Sequence, residues 1–336
     1  MHFYGMPAAT SATAGATPRW PRWTGSSGEA TTPGSIGCFS SSSAREPSAT
    51  RMLQPMRAPP SRRSSARPSG DPIDDAQFEV TLHHTAYIAA HNAERNDEAA
   101  ARAEACMELY ERAGVREGYL LSRINLGDAR WGKGQRWAAE RLLRAVRTEA
   151  VDAAFAHPRA LSALCLANVI ADESPEEARA LYNTGIGESN AATWRYDELY
   201  GRIYLALLEA GQGDHDGSVL HDLSTKASSR HLAYLADVAS GFGAMCDAAA
   251  GRVPRAAREL LQRTAAAPLA RAYAAAALLA GPDGDRASAK EALFATLRGA
   301  QGLKGRPRFV ASMALEAATT DAEHAIAQGF ADRFRP

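Results

Sequence analysis

The sequence predicts an all-α superhelix of stacked helical hairpins, an α-solenoid, behind a disordered N-terminal tail, and three observations predict it. Apolar residues recur at helical spacing from Asp74 onward, and no stretch shows the strict alternation of a half-buried strand. Every second helix is expected to start near residues 97, 135, 175, 215, 254, 287 and 321, at intervals of 33 to 40 residues. A small-to-large step returns with that period, as Ala139 with Leu143 and again as Ala178 with Tyr182. Repetition on this scale marks arrays in which each unit buries its apolar face only against its neighbours.

Residues 1–73 are the tail and residues 74–336 the repeat domain, with about seven helix pairs. The tail consists mainly of Ser, Ala, Thr, Pro, Gly and Arg, without the apolar periodicity a helix or strand face needs. GC-rich coding sequence read in a shifted register yields the same mixture. A second reading therefore takes the tail as a frameshift or start-site artefact and the body as having lost upstream domains.

The first hairpin runs through Phe78, Leu82, Tyr87 and Ile88, and Asn96-Asp97 opens its second helix as a capping pair. That helix carries Ala99, Ala103, Cys106 and Leu109. In the second hairpin, Leu126-Gly127 provides a large residue beside one without a side chain, suited to a close helix crossing. Gly134 breaks the chain, and Ala139 and Leu143 supply the facing contacts. The third hairpin runs from Pro158 to Ile170, and Ser174-Pro175-Glu176-Glu177 announces its second helix. There Ser is expected to satisfy an orphan amide, Pro fits the first turn, and the two Glu complement the helix dipole.

The fourth hairpin places Leu199, Ile203 and Leu208 before a break at Gly211 and Leu220 and Leu223 after it. The fifth has Leu235, Val238 and Met245, then Gly251 and Pro254 ahead of Ala257 and Leu260. The sixth turns at Gly281-Pro282-Asp283-Gly284-Asp285 into Ala289, Leu293 and Leu297. In the seventh, Val310 and Met313 precede a capping box of Thr320 with Glu323, and Ile326, Phe330 and Phe334 close the pattern.

Charge excludes little by itself, because 38 basic residues balance 38 acidic ones. The tail carries eight Arg and two Glu, so a basic tail precedes an acidic body, and the helical body offers no electrostatic footprint for nucleic acid. Cys38, Cys106, Cys165 and Cys246 contain no Cys-x-x-Cys pair, and the last three fall in helical patterns as small buried residues. That usage points to a reducing, cytoplasmic setting. No signal peptide and no membrane span is visible; the Ala-rich run 265–280 is interrupted by Pro268 and Arg271.

Candidate chemistry is sparse. His84 and His91 lie two turns apart on one face beside His83, but a one-turn pairing would need a ligand at Tyr87 or Ile88, so no metal is expected. Asp214-His215-Asp216-Gly217 and Asp283-Gly284-Asp285 lack the remaining calcium ligands and read as turns. The adjacent acids Asp74-Asp75, Asp172-Glu173 and Glu176-Glu177 point about 100° apart on a helix, which suits caps and solvent faces better than acid-base pairs. No phosphate loop or nucleophile elbow occurs, and no cofactor is implied.

Stacked hairpins leave their first helices lining a concave surface. If Leu126-Gly127 is the contact within its hairpin, then Leu121, Ile124, Asp128 and Trp131 face the groove. The same register places Tyr200, Ile203 and Leu207 there from the fourth pair and Met245 from the fifth. Trp131 is read either as an aromatic anchor for a bound peptide or as packing against the next repeat.

The skeleton of Leu126-Gly127, Gly134 and Ala139-x-x-x-Leu143 resembles the tetratricopeptide repeat. The stretch from Leu109 to Leu143 also resembles the C-terminal helical repeats of large bacterial ATPase regulators of the LuxR and antibiotic-regulatory types. That resemblance is fullest over 97–146 and looser over 150–265. It implies a cytoplasmic regulatory solenoid that senses a small molecule or partner and relays this to ATPase and DNA-binding domains, for which this chain has no motif. The expected function is a non-enzymatic scaffold or sensor that binds a protein, peptide or small-molecule effector in its groove, as part or relic of such a regulator. The alternative, an α/α enzyme with an enclosed cavity, lacks an Asp-Asp-x-x-Asp metal motif.

Overall fold

The computed structural model describes residues 72–212, 217–281, 285–299 and 302–333. The expectations for the tail, for Asp214-His215-Asp216, for the turn centre Pro282-Asp283-Gly284, for Phe334 and for the side chains of Asp74-Asp75 lie outside the described residues. Those residues form fourteen α-helices and no strand. Seven hairpins follow in order: α1 (Pro72–Asn92) with α2 (Asn96–Arg112), α3 (Arg116–Gly132) with α4 (Arg136–Asp152), and α5 (Ala156–Ile170) with α6 (Pro175–Ala191). Then come α7 (Arg195–Gln212) with α8 (Ser218–Ser229), α9 (Ala233–Ala249) with α10 (Arg255–Gln262), α11 (Pro268–Ala280) with α12 (Arg286–Gly299), and α13 (Pro307–Ala317) with α14 (Asp321–Asp332).

The period has a backbone explanation. Glu94, Gly114, Gly134, Ala154, Thr193, His231 and Gly251 all adopt a left-handed conformation, with φ between 54° and 75°. The residue after each donates its amide five residues back, as Gln135 does to the Arg130 carbonyl and Trp194 to the Ser189 carbonyl, which is the Schellman helix stop. A helix of 17 residues plus such a turn occupies about 20 residues, and two of them give the longer spacing near 40. Shorter helices, such as the 8 residues of α10, produce the later spacings near 34.

Each helix packs on the next, and α3, α5, α7, α9, α11 and α13 also pack on one another as an inner row. Outer helices are one-sided: α4 buries Ala139, Leu143, Val146 and Ala150, one stripe at helical spacing. Inner helices such as α9 and α11 are buried nearly all round. A Cβ on Gly127 would lie 2.8 Å from Leu143 Cγ, so the crossing read from the sequence is present. On α1 only Tyr87 of the four expected apolar positions is buried; Phe78, Leu82 and Ile88 are exposed.

Two caps differ from expectation. Asn96 makes no cap; its amide donates instead to the carbonyls of Glu94 (3.2 Å) and Gly132 (3.1 Å), tying the first turn to the end of α3. Ser174 stands at the N-cap position with Pro175 behind it, yet its side chain makes no capping hydrogen bond. The Thr320–Glu323 capping box forms as read. Among the described residues no helix is long and apolar enough to cross a membrane, and Cys106, Cys165 and Cys246 are buried and form no disulfide among the described residues.

Candidate functional site

The superhelix closes on itself, and part of its own chain occupies the interior. Tyr234 at the start of α9 donates to Glu94 in the first turn, 140 residues away, at 3.3 Å. Between α12 and α13 the chain runs without helix through Gly302-Leu303-Lys304-Gly305-Arg306, and Pro307 at the first position of α13 keeps Arg306 out of the helical region. Both glycines are required by contact. A Cβ on Gly302 would run into the Gly132 carbonyl oxygen and the Gly134 amide, and Gly305, with φ +85°, is wedged against the rings of Phe242 and Tyr273.

Between them Lys304 is 1% exposed. Its Nζ donates to Asp128 Oδ2 on α3 at 2.6 Å and lies 3.1 Å from His91 Nδ1 on α1 and 6.0 Å from the Trp131 ring centre. Asp128 Oδ2 also lies 3.0 Å from His91 Nδ1 and accepts from the Tyr87 hydroxyl at 3.5 Å. A single imidazole nitrogen can accept from the lysine or donate to the carboxylate but cannot do both, so the tautomer decides which neighbour it serves. Burial pushes the Asp128 carboxyl up, but Lys304 and His91 outweigh it and hold the group well below the usual carboxylate range. Glu94 responds oppositely: burial raises it, and the nearby lysine and histidine only reduce the shift. Asp128 Oδ1, Glu94 Oε2 and the Tyr204 hydroxyl are buried without a hydrogen-bond partner among the described residues.

Tyr273 on α11 grips the backbone of the segment. Its hydroxyl donates to the Lys304 carbonyl at 2.8 Å and accepts from the Arg306 amide. The Arg306 guanidinium reaches Asp172, in the turn after α5, at 2.9 Å and the Leu208 carbonyl at 3.4 Å. Around this run aromatic rings in series: Trp131 with Tyr204 at 6.1 Å, Tyr200 with Tyr204 at 4.9 Å, Tyr204 with Phe242 at 5.5 Å and Phe242 with Tyr273 at 4.8 Å. Asn168 joins the hydroxyls of Tyr200 (2.5 Å) and Tyr182 (2.6 Å).

The expected groove residues divide accordingly. Asp128 and Trp131 meet at Lys304, but as partners of the chain's own segment and not as an open surface. Ile124, Ile203, Leu207 and Met245 are a correction: they are buried in the continuous core, because the inner helices pack on one another and the concave side is filled. Tyr200 is buried in the aromatic series, and Leu121 stays half-buried at its margin. His91 belongs to the site as a neighbour of Asp128 and Lys304, while among the described residues no group of three or more His, Cys, Asp or Glu is placed to hold a metal ion. A cleft of about 720 Å³ opens beside the segment, lined by Glu94, Asn96, Thr264, Arg271, Gly302 and Leu303.

Lys304, Gly302, Tyr273 and Glu94 are the functional candidates that periodicity does not find. The signal available is Gly302-Leu303-Lys304-Gly305-Arg306-Pro307, a lysine between two glycines ahead of a proline. Together these features define an all-α helical-repeat protein whose inner face holds a non-helical piece of its own chain. No protein family, curated protein or solved structure matches the chain.

Proposed function

We propose that this chain is a non-enzymatic helical-repeat scaffold, a cytoplasmic regulatory or sensor module that takes up an extended peptide from a partner protein on its concave face. The observation that carries the reading is the seating of Gly302–Arg306: non-helical, non-repeat chain, gripped through its backbone by Tyr273 and through its side chains by Asp128 and Asp172. A surface that accommodates one such segment has the shape and the hydrogen-bonding groups for another. The resemblance of Leu109–Leu143 to regulator repeats supports a signalling role, with the chain as part or relic of a transcriptional regulator. A small-molecule effector would enter through the cleft at Glu94 and Asn96.

What favours the α/α enzyme alternative is a buried grouping of titratable side chains, Asp128 with Lys304 Nζ at 2.6 Å and His91 Nδ1 at 3.0 Å. The lysine segment covers Asp128, so peptide displacement precedes access to that carboxylate in either case. The test is a peptide-display selection on the full chain. Enriched peptides should lose binding to a Tyr196→Arg variant, altered at the inner helix α7 where the ring is 41% exposed, and keep it with Trp137→Arg on α4, where the ring is 69% exposed. Equal binding to both variants would refute the concave face as the site.

A further inference from the structure

We propose that the concave face is a recognition site for an unmodified lysine in a Gly-x-Lys-Gly-Arg context on a partner protein, and that Gly302–Arg306 is its built-in competitor. This rests on the peptide-scaffold reading and adds the ligand's chemistry to it.

Each element of the pattern has its own receptor. The lysine ammonium meets a carboxylate at 2.6 Å, a ring nitrogen at 3.1 Å and the face of an indole at 6.0 Å, so charge, hydrogen bonding and cation-π attraction converge on one point. Asp128, buried beneath it, stays ionised because a cation is delivered there. Glycine precedes the lysine by two residues because the Gly132 and Gly134 backbone leaves no room for a side chain, and glycine follows it because the chain turns through positive φ against Phe242 and Tyr273. Arginine closes the motif on Asp172. Tyr273 binds only the peptide link and would serve any sequence equally.

These contacts use backbone groups and side-chain ends that a peptide in trans supplies as well as the tethered segment. The neighbouring cleft, which Gly302 and Leu303 line, gives such a peptide a route in while the resident segment leaves. A tethered occupant competes at an effective concentration on the order of millimolar, so an external peptide of micromolar affinity is largely excluded until the segment is released. Acetylation of the lysine removes the charge that Asp128 requires, and with Nζ already at 2.6 Å no acyl group fits without displacement.

The experiment measures binding of a fluorescent Gly-Leu-Lys-Gly-Arg peptide to the full chain and to two variants, one that opens the ammonium site and one that releases the segment. Lys304→Ala empties the ammonium site. Gly302→Val expels the segment sterically and leaves Lys304 in the chain. Both should bind the peptide at least about tenfold more tightly than the wild type while keeping its helical circular dichroism, and the Nζ-acetylated peptide should bind the variants at least about tenfold more weakly. No gain in either folded variant overturns the proposal. So does loss of helix in both, which would make the segment an indispensable part of the core. Equal binding of the acetylated peptide would remove the lysine assignment while the broader scaffold reading stands, provided that display-selected peptides still depend on Tyr196. If those fail as well, both readings fall. Should Gly302→Val bind by pairing with a second copy, seen as a dimer by light scattering, the partner is this chain itself and the assignment to another protein is wrong.

Discussion

Lys304 and Asp128 are 176 residues apart in the chain and 2.6 Å apart in space, with side chains only 1% and 5% exposed. A buried ion pair of this kind adds little net stability over an apolar filling, but removing one partner strands the other. It specifies which piece of chain lies in the groove, since an uncharged substitute takes away the lysine ammonium that Asp128 holds at 2.6 Å.

That asymmetry can be measured. Lys304→Met keeps the volume and the seated segment but leaves Asp128 sealed in with only His91 and the Tyr87 hydroxyl beside it, and the loss should be about 3 kcal/mol in urea melts. Adding Asp128→Asn should recover part of it, for a coupling of about 1–3 kcal/mol in the double-mutant cycle. Strictly additive losses would mean that the two groups do not act as a pair.

Glu94 gives a pH dependence of defined sign. Its folded carboxyl is raised by burial above its unfolded value, so at neutral pH the fold carries the cost of an ionised buried acid. As pH falls through the raised value the folded state takes up the proton first, and the cost vanishes near the unfolded value of about 4.3. Glu94→Gln should therefore melt above the wild type at about pH 8, and the difference should shrink toward about pH 4. A gap that widens in acid would contradict this environment for Glu94.

Thr193 occupies a left-handed helix stop, φ 62°, where the equivalent positions 114, 134 and 251 carry glycine. A β-branched residue is strained there, its side chain is exposed, and the backbone bond to Asn190 does not depend on it. Thr193→Gly should gain about 1 kcal/mol in chemical denaturation. A loss would show that the threonine makes a contact that outweighs the strain.

The helices were legible in the sequence because their signals are local. Second-helix starts fall within three residues of their expected positions, from Asn96 to Asp321, and Gly127 meets Leu143 as the small-to-large step requires. Asn96 misled for a physical reason: its amide has a better partner than a cap, the Gly132 carbonyl 36 residues on, while nothing in the structure explains the missing Ser174 cap. The site was less legible still. Asp128 and Trp131 are recognisable as inner-face positions by register, but the curvature that brings α9 back to the first turn is the sum of many small hairpin rotations and leaves no mark at any one position. Nor does Gly302–Arg306 carry a period, because it belongs to no repeat.

The inserted segment changes how the array can come apart. An open solenoid frays from its ends, each hairpin depending only on its neighbours. Here five residues near the C-terminal hairpin touch α1, α3, α7, α9 and α11 and the turn after α5. They act as a clasp, so loss of the last hairpin reaches the first. During synthesis Asp128 precedes Lys304 by 176 residues. Until Lys304 has left the ribosome, Asp128 has no access to the ammonium it holds in the folded chain.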